Sequence, residues 1–560
     1  MKSIISKTVI TLLVMSACNT DRFFEIQRPQ EPPWTTTATY EQGLNACYRI
    51  MQWAAMGRGW DVWFNWLPSG CAVKTTTGAA GLNGDLVFYR KFGERMSQLT
   101  DIWNQSYQVI TMSNLALDLD KSGNGNPFGL DVNSQDYRDN YRRQVAEFHF
   151  CRAYAYFFLI RLFAPPYVHN GDNSVKTIPL KSTAAYSKEE VLNEKIGTRE
   201  EVYRQIISDL QYAKAHLPEK FVLNTWNQVP GYEAGRANKW AASALLGKVF
   251  FLTGKHAEAK AEFDDLIASG VYFPDENPKD LYNKEKAHEF PSGAIYEFNG
   301  GDLGGTSERH NMYMYVGMVM GLRFRDSQGD ELFNSPVNGE GTVMSSWNAF
   351  AVAYTALKQM GWIANPAAGD YSETPEALAD LRYRQVFHRL LPMPPGTPEN
   401  TINKGDPGYL EYESFPARAH LTTPHVYIDK FFRGAQGYGR YSKFPLIKIT
   451  DIYLLRAWIQ WKNGDAAAAA VDLNVVWDAA NPTNPGRHTA ENVTHESIWA
   501  EYLREMTGEG WVTDFIMGTQ MDAPAGDDPL NTVVSPPYAD WYWPIPSNEE
   551  ALNPNYQYGD

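Results

Sequence analysis

Residues 57–66 combine side chains that are suited to binding a sugar. Their sequence is GRGWDVWFNW, in which indole rings stand next to planar polar groups: Arg58, Trp60, Asp61, Trp63, Asn65 and Trp66. The C–H faces of a sugar ring stack on indole, while its hydroxyl groups need planar hydrogen-bond donors and acceptors. Trp60, Asp61 and Trp66 are therefore the leading ligand-binding candidates, with Arg58 beside them. A buried aromatic corner beneath the first helices explains the same residues equally well, and both interpretations stay open.

A second candidate segment, residues 300–323, contains paired glycines together with Tyr313, Tyr315 and Arg323. Trp347 follows in the sequence and belongs either to this segment or to the core. Covering one sugar face of roughly 100 Å² contributes about 2 kcal/mol. Two or three such aromatic platforms give only micromolar to millimolar affinity. Such affinity suits a protein that must release its ligand.

The acidic residues do not indicate an enzyme. Glu501, Glu505 and Glu509 recur every four residues in a predicted helix, a spacing that resembles a row of acid–base carboxylates. A solvated or salt-bridged helix face explains the row better, because Arg504 supplies a local partner. The sequence has no G-x-S-x-G elbow and no Walker A motif. We therefore predict no catalytic activity.

Two metal-binding patterns are incomplete. His495 and Glu496 begin like the zinc-protease motif HExxH, but the fifth position is Trp499. Residues 118–124 resemble the start of a calcium loop, but the twelfth position is Gly129 instead of a bidentate Glu. A turn at the end of a helix explains these residues better. The sequence predicts no metal site and no cofactor.

The composition favours one compact body. The chain has 560 residues, enough to bury a large core, and lacks a linker long enough to separate independent domains. Its formal net charge is -15 and it has no Lys/Arg cluster, so nucleic acid is not expected as a partner. Aromatic residues make up 14% of the chain, which exceeds the needs of a core and indicates exposed aromatic platforms.

The N-terminus has the pattern of an export signal. Lys2 and Lys7 precede a short apolar run, and Ser16 and Ala17 lead into Cys18. The run is far too short to span a bilayer. Residues 1–17 resemble a bacterial lipoprotein signal that is cleaved before a lipidated Cys18. An ordinary secretory signal with an incidental cysteine is the alternative.

The other three cysteines show no metal or disulfide pattern, because their number is odd and no CxxC spacing occurs. Cys151 lies inside an apolar helix and is predicted to be a small buried hydrophobic residue. Pairing of Cys47 with Cys71 in an oxidising compartment is left open.

Helical periodicity dominates the chain. Residues 101–119 place Trp103, Tyr107 and Asn114 on one helix face. Residues 144–168 form a strongly apolar helix that stops at two prolines, and residues 199–217 form another helix. Residues 239–269 have the small and aromatic residues by which tetratricopeptide repeats interlock two helices, and residues 451–473 repeat this arrangement.

Between residues 274 and 440 the periodicity breaks down, with many Gly, Pro and aromatic residues. Only short helices are predicted there, at residues 345–360 and 375–387. Long irregular segments within a compact protein commonly carry function. The sequence therefore predicts a helical scaffold that presents a loop-rich face.

Several blocks, taken in order, resemble the SusD/RagB family of outer-membrane nutrient-binding lipoproteins. Besides Trp103, Tyr107 and Asn114, they are CRAYAYFFLIRLF, TREEVYRQIISDLQYAKAHLP, GRANKWAASALLGKVFFLTGKHAEA, IKITDIYLLRAW, LNVVWDAA, HESIWAEYLREMTGEG and WPIPSNEEALNPNYQ. Each motif alone is weak, but the collinear set covers nearly the whole chain. Lys448 and Tyr502 depart from residues that are usual in the family, which indicates a divergent subfamily with the same fold.

The resemblance implies a mostly α, SusD-like fold, with degenerate tetratricopeptide-type helix pairs and a loop-rich binding subregion. It divides the chain into the signal at residues 1–17, a helical region at 18–273 and a loop-rich region at 274–560. The implied protein is anchored by lipid to the outer membrane and faces outwards. It captures an oligosaccharide as a lid over a SusC-like TonB-dependent transporter. RagB-type members handle peptides instead, and a structural or adhesive lipoprotein is a further alternative.

Overall fold

The computed structural model describes residues 34–56, 71–75, 97–187, 189–190, 194–219, 235–282, 293–298, 350–390, 423–428, 430, 444–527 and 531–552. Long helices form most of the structure, and short antiparallel strands and irregular segments connect them. The mostly α fold predicted from the sequence is confirmed.

Four long helices form the N-terminal part of the fold. In chain order the elements are α1 (Thr37–Met56), β1 (Val73–Thr75), α2 (Ser97–Ser122), α3 (Arg142–Phe163), β2 (Lys176–Pro179), β3 (Ile196–Thr198) and α4 (Arg199–His216). Helix α3 packs against α1, α2 and α4, and all its side chains from Cys151 onwards are buried. It ends at Phe163 because Ala164 is extended and two prolines follow. The predicted apolar helix is confirmed.

Buried polar contacts fix α3 against its neighbours. Arg152 binds both carboxylate oxygens of Asp209 on α4, at 2.7 and 2.8 Å, and donates to Asn114 Oδ1 on α2 at 2.7 Å. The ring centroid of Trp103, also on α2, lies 5.0 Å from that of Phe163. Trp103 and Asn114 therefore both face α3, as the helical spacing of residues 101–119 predicted.

A capping box determines the start of α4. The side chain of Thr198 accepts a hydrogen bond from the amide of Glu201 at 3.2 Å, and the Glu201 carboxylate accepts one from the amide of Thr198 at 2.9 Å. The sequence T-x-x-E favours this reciprocal contact because it satisfies two amides that have no partner within the helix. Strand β3, which pairs with β2, leads directly into the cap.

The predicted helix pair at residues 239–269 is confirmed as α5 (Lys239–Leu252) and α6 (His256–Ala268). Both Ala259 and Phe263 are fully buried between the two helices. A Cβ atom on Gly247 would lie 2.4 Å from a ring carbon of Phe263. The close approach of α5 and α6 therefore depends on the missing side chain at position 247.

Gly247→Ala should lower the free energy of unfolding by roughly 1–3 kcal/mol, because the Phe263 ring must shift within a packed interior. Alanine is favoured over glycine in helices by about 1 kcal/mol, so a stabilised variant would contradict the close approach. Urea denaturation measures this change. The double variant Gly247→Ala with Phe263→Leu is the control and should recover part of the loss.

Short strands and helices make up the middle of the chain. They are β4 (Ala294–Phe298), β5 (Phe350–Val352), α7 (Tyr354–Gln359), β6 (Ile363–Asn365), β7 (Asp370–Glu373), α8 (Pro375–Ala379), α9 (Leu381–Val386), β8 (Phe387–Leu390), β9 (His425–Ile428) and β10 (Phe444–Lys448). Four strands form an antiparallel sheet in the order β1–β5–β9–β8. Strand β10 pairs with β4, and β6 pairs with β7.

Two helices predicted in this region are wrong in extent. In the described part of the first range, residues 350–360, the helix is limited to Tyr354–Gln359, and Phe350–Val352 is strand β5. Its backbone pairs with β1 and β9, which are distant in sequence, so local periodicity does not reveal the strand. The helix predicted at residues 375–387 divides at Asp380, whose backbone is extended and whose carboxylate caps α9 at the amide of Arg382.

The second predicted helix pair is also confirmed. It consists of α10 (Ile449–Lys462) and α11 (Ala466–Ala480), which α12 (His495–Met506), α13 (Val512–Thr519) and α14 (Ser547–Leu552) follow. Gly464 has φ +87° in the turn between α10 and α11, a conformation that glycine adopts without strain. Leu455 and Ile459 of α10 are buried in the core.

Buried ion pairs cross the predicted boundary at residue 273. Lys248 of α5 binds Asp451 of α10, and Arg161 of α3 binds Asp514 of α13. The division into regions 18–273 and 274–560 stays a prediction. None of the helices in the described part of the chain has the length and apolar character that crossing a membrane requires.

The buried cysteines do not form a disulfide among themselves. Cys47, Cys71 and Cys151 are all buried, and no disulfide joins any two of them. The possible pairing of Cys47 with Cys71 is therefore not formed, and the predicted burial of Cys151 is confirmed. Burial raises the pKa of the Cys47 thiol to about 12, so this thiol is unreactive near neutral pH.

Candidate functional site

The residues predicted to bind ligand lie outside the described residues. They are Arg58, Trp60, Asp61, Trp66, Tyr313, Tyr315, Arg323 and Trp347. Cys18, the predicted lipidation site, also lies outside them. The structure does describe the chain beside both candidate segments, and those flanking residues define where each segment is attached.

Neighbouring strands carry the attachment points of both segments. Strand β1 lies between residues 57–70 and 76–96, and β5 directly follows residues 299–349. The two strands are antiparallel, with Val73 opposite Val352 and Thr75 opposite Phe350. Opposite residues in such a pair have Cα atoms roughly 5 Å apart. Because the strands run in opposite directions, residues 299–349 lead into β5 beside Thr75, whereas residues 57–70 lead into the other end of β1. The described chain next to the two candidate segments therefore lies on neighbouring strands, at opposite ends of a pair that is three residues long.

A buried ammonium group lies in the middle of β1. Lys74 is 8% exposed, and its Nζ atom lies 3.2 Å from the centroid of the Tyr354 ring. The nearest described carboxylate oxygen is Asp527 Oδ2, at 3.9 Å. Burial lowers the pKa of Lys74 to about 7, although Asp527 partly opposes this change. Burial and the nearby Lys74 together lower the pKa of His425, on β9, to about 3.

Asp527 is held in place by helix α7. Its carboxylate accepts hydrogen bonds from the Tyr354 amide at 2.6 Å and from the Thr355 amide at 2.9 Å. The Thr355 hydroxyl donates to it at 3.0 Å. The carboxylate thus satisfies amides in the first turn of α7, where negative charge is favoured.

Lys74, Tyr354, His425 and Asp527 together form what we call the Lys74 cluster. The Tyr354 ring also packs against Tyr371 of β7, with centroids 4.6 Å apart. The four members come from four separate parts of the chain, so sequence spacing gave no signal of the cluster. Residues 71–75 are also too few for their alternation to identify a strand.

The three carboxylates predicted to share one helix do not all lie on it, because α12 carries Glu501 and Glu505 but ends at Met506, before Glu509. Glu501 and Glu509 are buried, at 0% and 2% exposed, and Glu505 is partly buried. Arg382 contacts Glu501 at 2.7 Å and Glu505 at 3.3 Å, while Lys448 contacts Glu505 at 2.8 Å and Glu509 at 2.9 Å. The salt-bridged face, one of the two explanations given for the row, is therefore confirmed, and the cations come from α9 and β10.

These contacts do not suit acid–base chemistry. Burial opposes ionisation of Glu501, but Arg382 and Arg504 outweigh it and keep the pKa of Glu501 well below its usual value. A carboxylate held ionised by buried cations is a weak proton acceptor. A cavity of about 30 Å³ beside Glu505 has room for a water molecule but not for a sugar ring. The row is thus part of the internal structure of the scaffold.

The acidic residues within 118–124, which resemble the start of a calcium loop, make hydrogen bonds within the fold. Asp118 accepts a hydrogen bond from the amide of Ala184 at 2.8 Å, and the Tyr141 hydroxyl donates to Asp120. Helix α2 ends at Ser122, as the alternative explanation predicted. Within the described ranges, no group of three or more His, Cys, Asp or Glu side chains could hold a metal ion.

Comparisons with known proteins agree with this architecture. Residues 87–251 match the SusD-like family model described as starch-binding and associating with the outer membrane. SusD-like protein P2 of Formosa agariphila is 26% identical over 232 residues, which are 41% of this chain and 39% of that relative. The alignment therefore spans well under half of the relative's length.

Similarity in three dimensions extends over nearly the whole chain. A SusD superfamily protein from Bacteroides thetaiotaomicron aligns with a TM-score of 0.63 and 20% identity, covering 93% of this chain and 98% of that structure. A laminarin-binding SusD-like protein aligns with a TM-score of 0.61 and 18% identity, with coverage of 93% and 98%. The family-model match over residues 87–251, the similar relatives and the shared fold all support the resemblance of the chain to the SusD/RagB family.

Proposed function

We propose that the protein captures an oligosaccharide outside the cell and does not catalyse a reaction on it. Trp60, Asp61 and Trp66 would supply the first platform, with Arg58 as a hydrogen-bond donor. Tyr313, Tyr315, Arg323 and Trp347 would supply the second. The chemistry of stacked sugar faces and hydrogen-bonded hydroxyl groups motivates both choices.

The pairing of β1 with β5 is the observation that carries this proposal. Residues 57–66 and residues 300–347 are more than 200 positions apart in the sequence. The strand pair nevertheless places the chain that follows each segment on neighbouring strands, at opposite ends of a pair only three residues long. A glycan that reaches both segments needs such proximity. The comparison with a laminarin-binding SusD-like protein is consistent with a glycan ligand.

The same proposal includes the location and the partner. Lipid on Cys18 would hold the chain at the outer membrane, where the matching family model also places its members. The protein would then deliver its ligand, as a lid, to a SusC-like TonB-dependent transporter. A weakly bound glycan suits this role, because delivery requires release.

Trp66→Ala and Trp60→Ala should each weaken glycan binding about 30-fold, because each removes roughly 2 kcal/mol of stacking. Isothermal calorimetry of the full chain in detergent, against panels of oligosaccharides and peptides, measures this effect. Trp461→Ala is the matched control, because it removes a partly buried indole from α10, within the helical scaffold.

Three outcomes separate the possible ligands. A glycan that binds the wild type and the Trp461 variant, but neither of the others, supports the proposal. A peptide that binds all four chains equally would replace it with a RagB-like role and reject the leading platform. Binding of neither ligand class would leave a structural or adhesive lipoprotein as the better explanation.

A further inference from the structure

We propose that Lys74 makes the pairing of β1 with β5 sensitive to protons. Protonation of its amine would weaken this pairing and loosen the two strands into which the candidate segments lead. The claim about the strand pair stands on the structure alone. Its consequence for ligand binding rests on the function proposed above.

Strand β1 is weakly held by its own backbone. It has three residues, lies at the edge of the sheet and pairs only with β5 among the described strands. Short edge strands depend on side-chain packing for stability. Because successive side chains point to opposite faces, Lys74 enters the protein on the face opposite to Val73. Its side chain therefore has a large influence on whether β1 stays in place.

Among the described residues, few contacts compensate the charge of Lys74. Its ammonium has no hydrogen-bond acceptor among the described residues, and the Asp527 oxygen at 3.9 Å is beyond hydrogen-bond length. Asp527 already accepts three hydrogen bonds from Tyr354 and Thr355. The Tyr354 ring offers only a cation–π contact. A protonated Lys74 therefore loses more hydration on burial than these contacts return.

The charged and titratable groups around Lys74 come from each neighbouring element. Asp527 approaches from the C-terminal segment, Tyr354 from α7 and His425 from β9. His425 has a pKa near 3 and stays neutral above pH 5. Tyr354 has a pKa raised by burial to about 12 and stays protonated. Lys74 is therefore the member of the cluster that titrates between pH 6 and pH 8.

The direction of the effect follows from proton linkage. The pKa of Lys74 is about 7 when β1 is in place and about 10.5 when β1 opens and the amine is hydrated. The open state thus binds more protons, and the cost of burying the charge is fully present below pH 7. As the pH rises above 7, this cost is relieved and the closed pairing becomes more stable.

Amide hydrogen exchange of the full chain tests the inference without any ligand. After correction for intrinsic rates, protection of the amides of β1 and β5 should rise about tenfold from pH 6 to pH 8. Lys74→Met removes the charge and should give high protection that does not change with pH. Lys74→Arg keeps the charge over this range and should give low protection that does not change with pH.

The control is Lys260→Met, which removes a partly exposed lysine of α6 and should exchange like the wild type. Equal protection at pH 6 in the wild type and Lys74→Met would overturn the inference. Wild-type protection that does not change between pH 6 and pH 8 would also overturn it.

The outcome for ligand binding is separate. If the wild type binds a glycan and the Lys74 variants bind it with the same affinity, the link to ligand binding is rejected while the claim about the strand pair stands. If no glycan binds, the proposed function fails and the exchange result still decides the claim about β1.

Discussion

Arg382→Met should lower the free energy of unfolding by roughly 3–5 kcal/mol, because it removes one partner from a buried ion network. Arg382 binds Asp380 with two hydrogen bonds, at 2.8 and 3.0 Å, and Glu501 at 2.7 Å. Both carboxylates are fully buried. Without the guanidinium group their charges are left without their main compensation in a region of low dielectric constant. Chemical denaturation at neutral pH measures the change.

Two further variants show whether the network causes the loss. Arg204→Met removes a guanidinium that is 71% exposed and lies 3.9 Å from Glu200, so stability should change by less than about 0.5 kcal/mol. Combining Arg382→Met with Asp380→Asn should recover part of the loss, because it removes one uncompensated charge. A loss below about 1 kcal/mol in Arg382→Met would show that water solvates the network and that its burial has little energetic effect.

Acidification from pH 4.5 to pH 2 should destabilise the folded chain by several kcal/mol. Burial opposes ionisation of Glu41, but Arg236 and Arg143 overcome it and lower its pKa to about 2. Burial likewise opposes ionisation of Glu505, and Lys448 makes the largest opposing contribution to its pKa of about 2. Each group contributes about 3 kcal/mol above its unfolded pKa, and this contribution is lost as the pH falls through the folded value.

Denaturation at a series of pH values measures this dependence. Glu505→Gln should be less stable than the wild type at pH 7, and the difference should shrink towards pH 2. The reason is that the wild-type carboxylate becomes protonated over this range and loses its ion pair with Lys448. A parallel decline of the two proteins would show that Glu505 does not contribute to the acid sensitivity.

Helices were predictable where their signals were local. The apolar run in α3, the prolines after it and the T-x-x-E start of α4 all lie within a few residues of the structure that they determine. The helix pairs were recognisable because Gly247 and Phe263 lie at a fixed short spacing. A single sequence contains these signals completely.

The remaining features depend on residues that are distant in sequence. Strand β5 was not predicted because its partners β1 and β9 come from elsewhere in the chain. Burial of the α12 carboxylates was not predicted because Arg382 lies 119 positions before Glu501. The Lys74 cluster was missed for the same reason. The ligand-binding residues themselves stay predictions, since they lie outside the described residues.

The pairing of β1 with β5 also has an evolutionary consequence. Closing a loop costs an entropy that grows only slowly with loop length. Residues 57–70 lead into one strand of this pair, and residues 299–349 lead into the other. With the function proposed above, mutations, insertions or exchanges within these segments would alter ligand preference while the strand pair and the helical scaffold persist. In this way a lineage can adapt to a new food source without evolving a new fold.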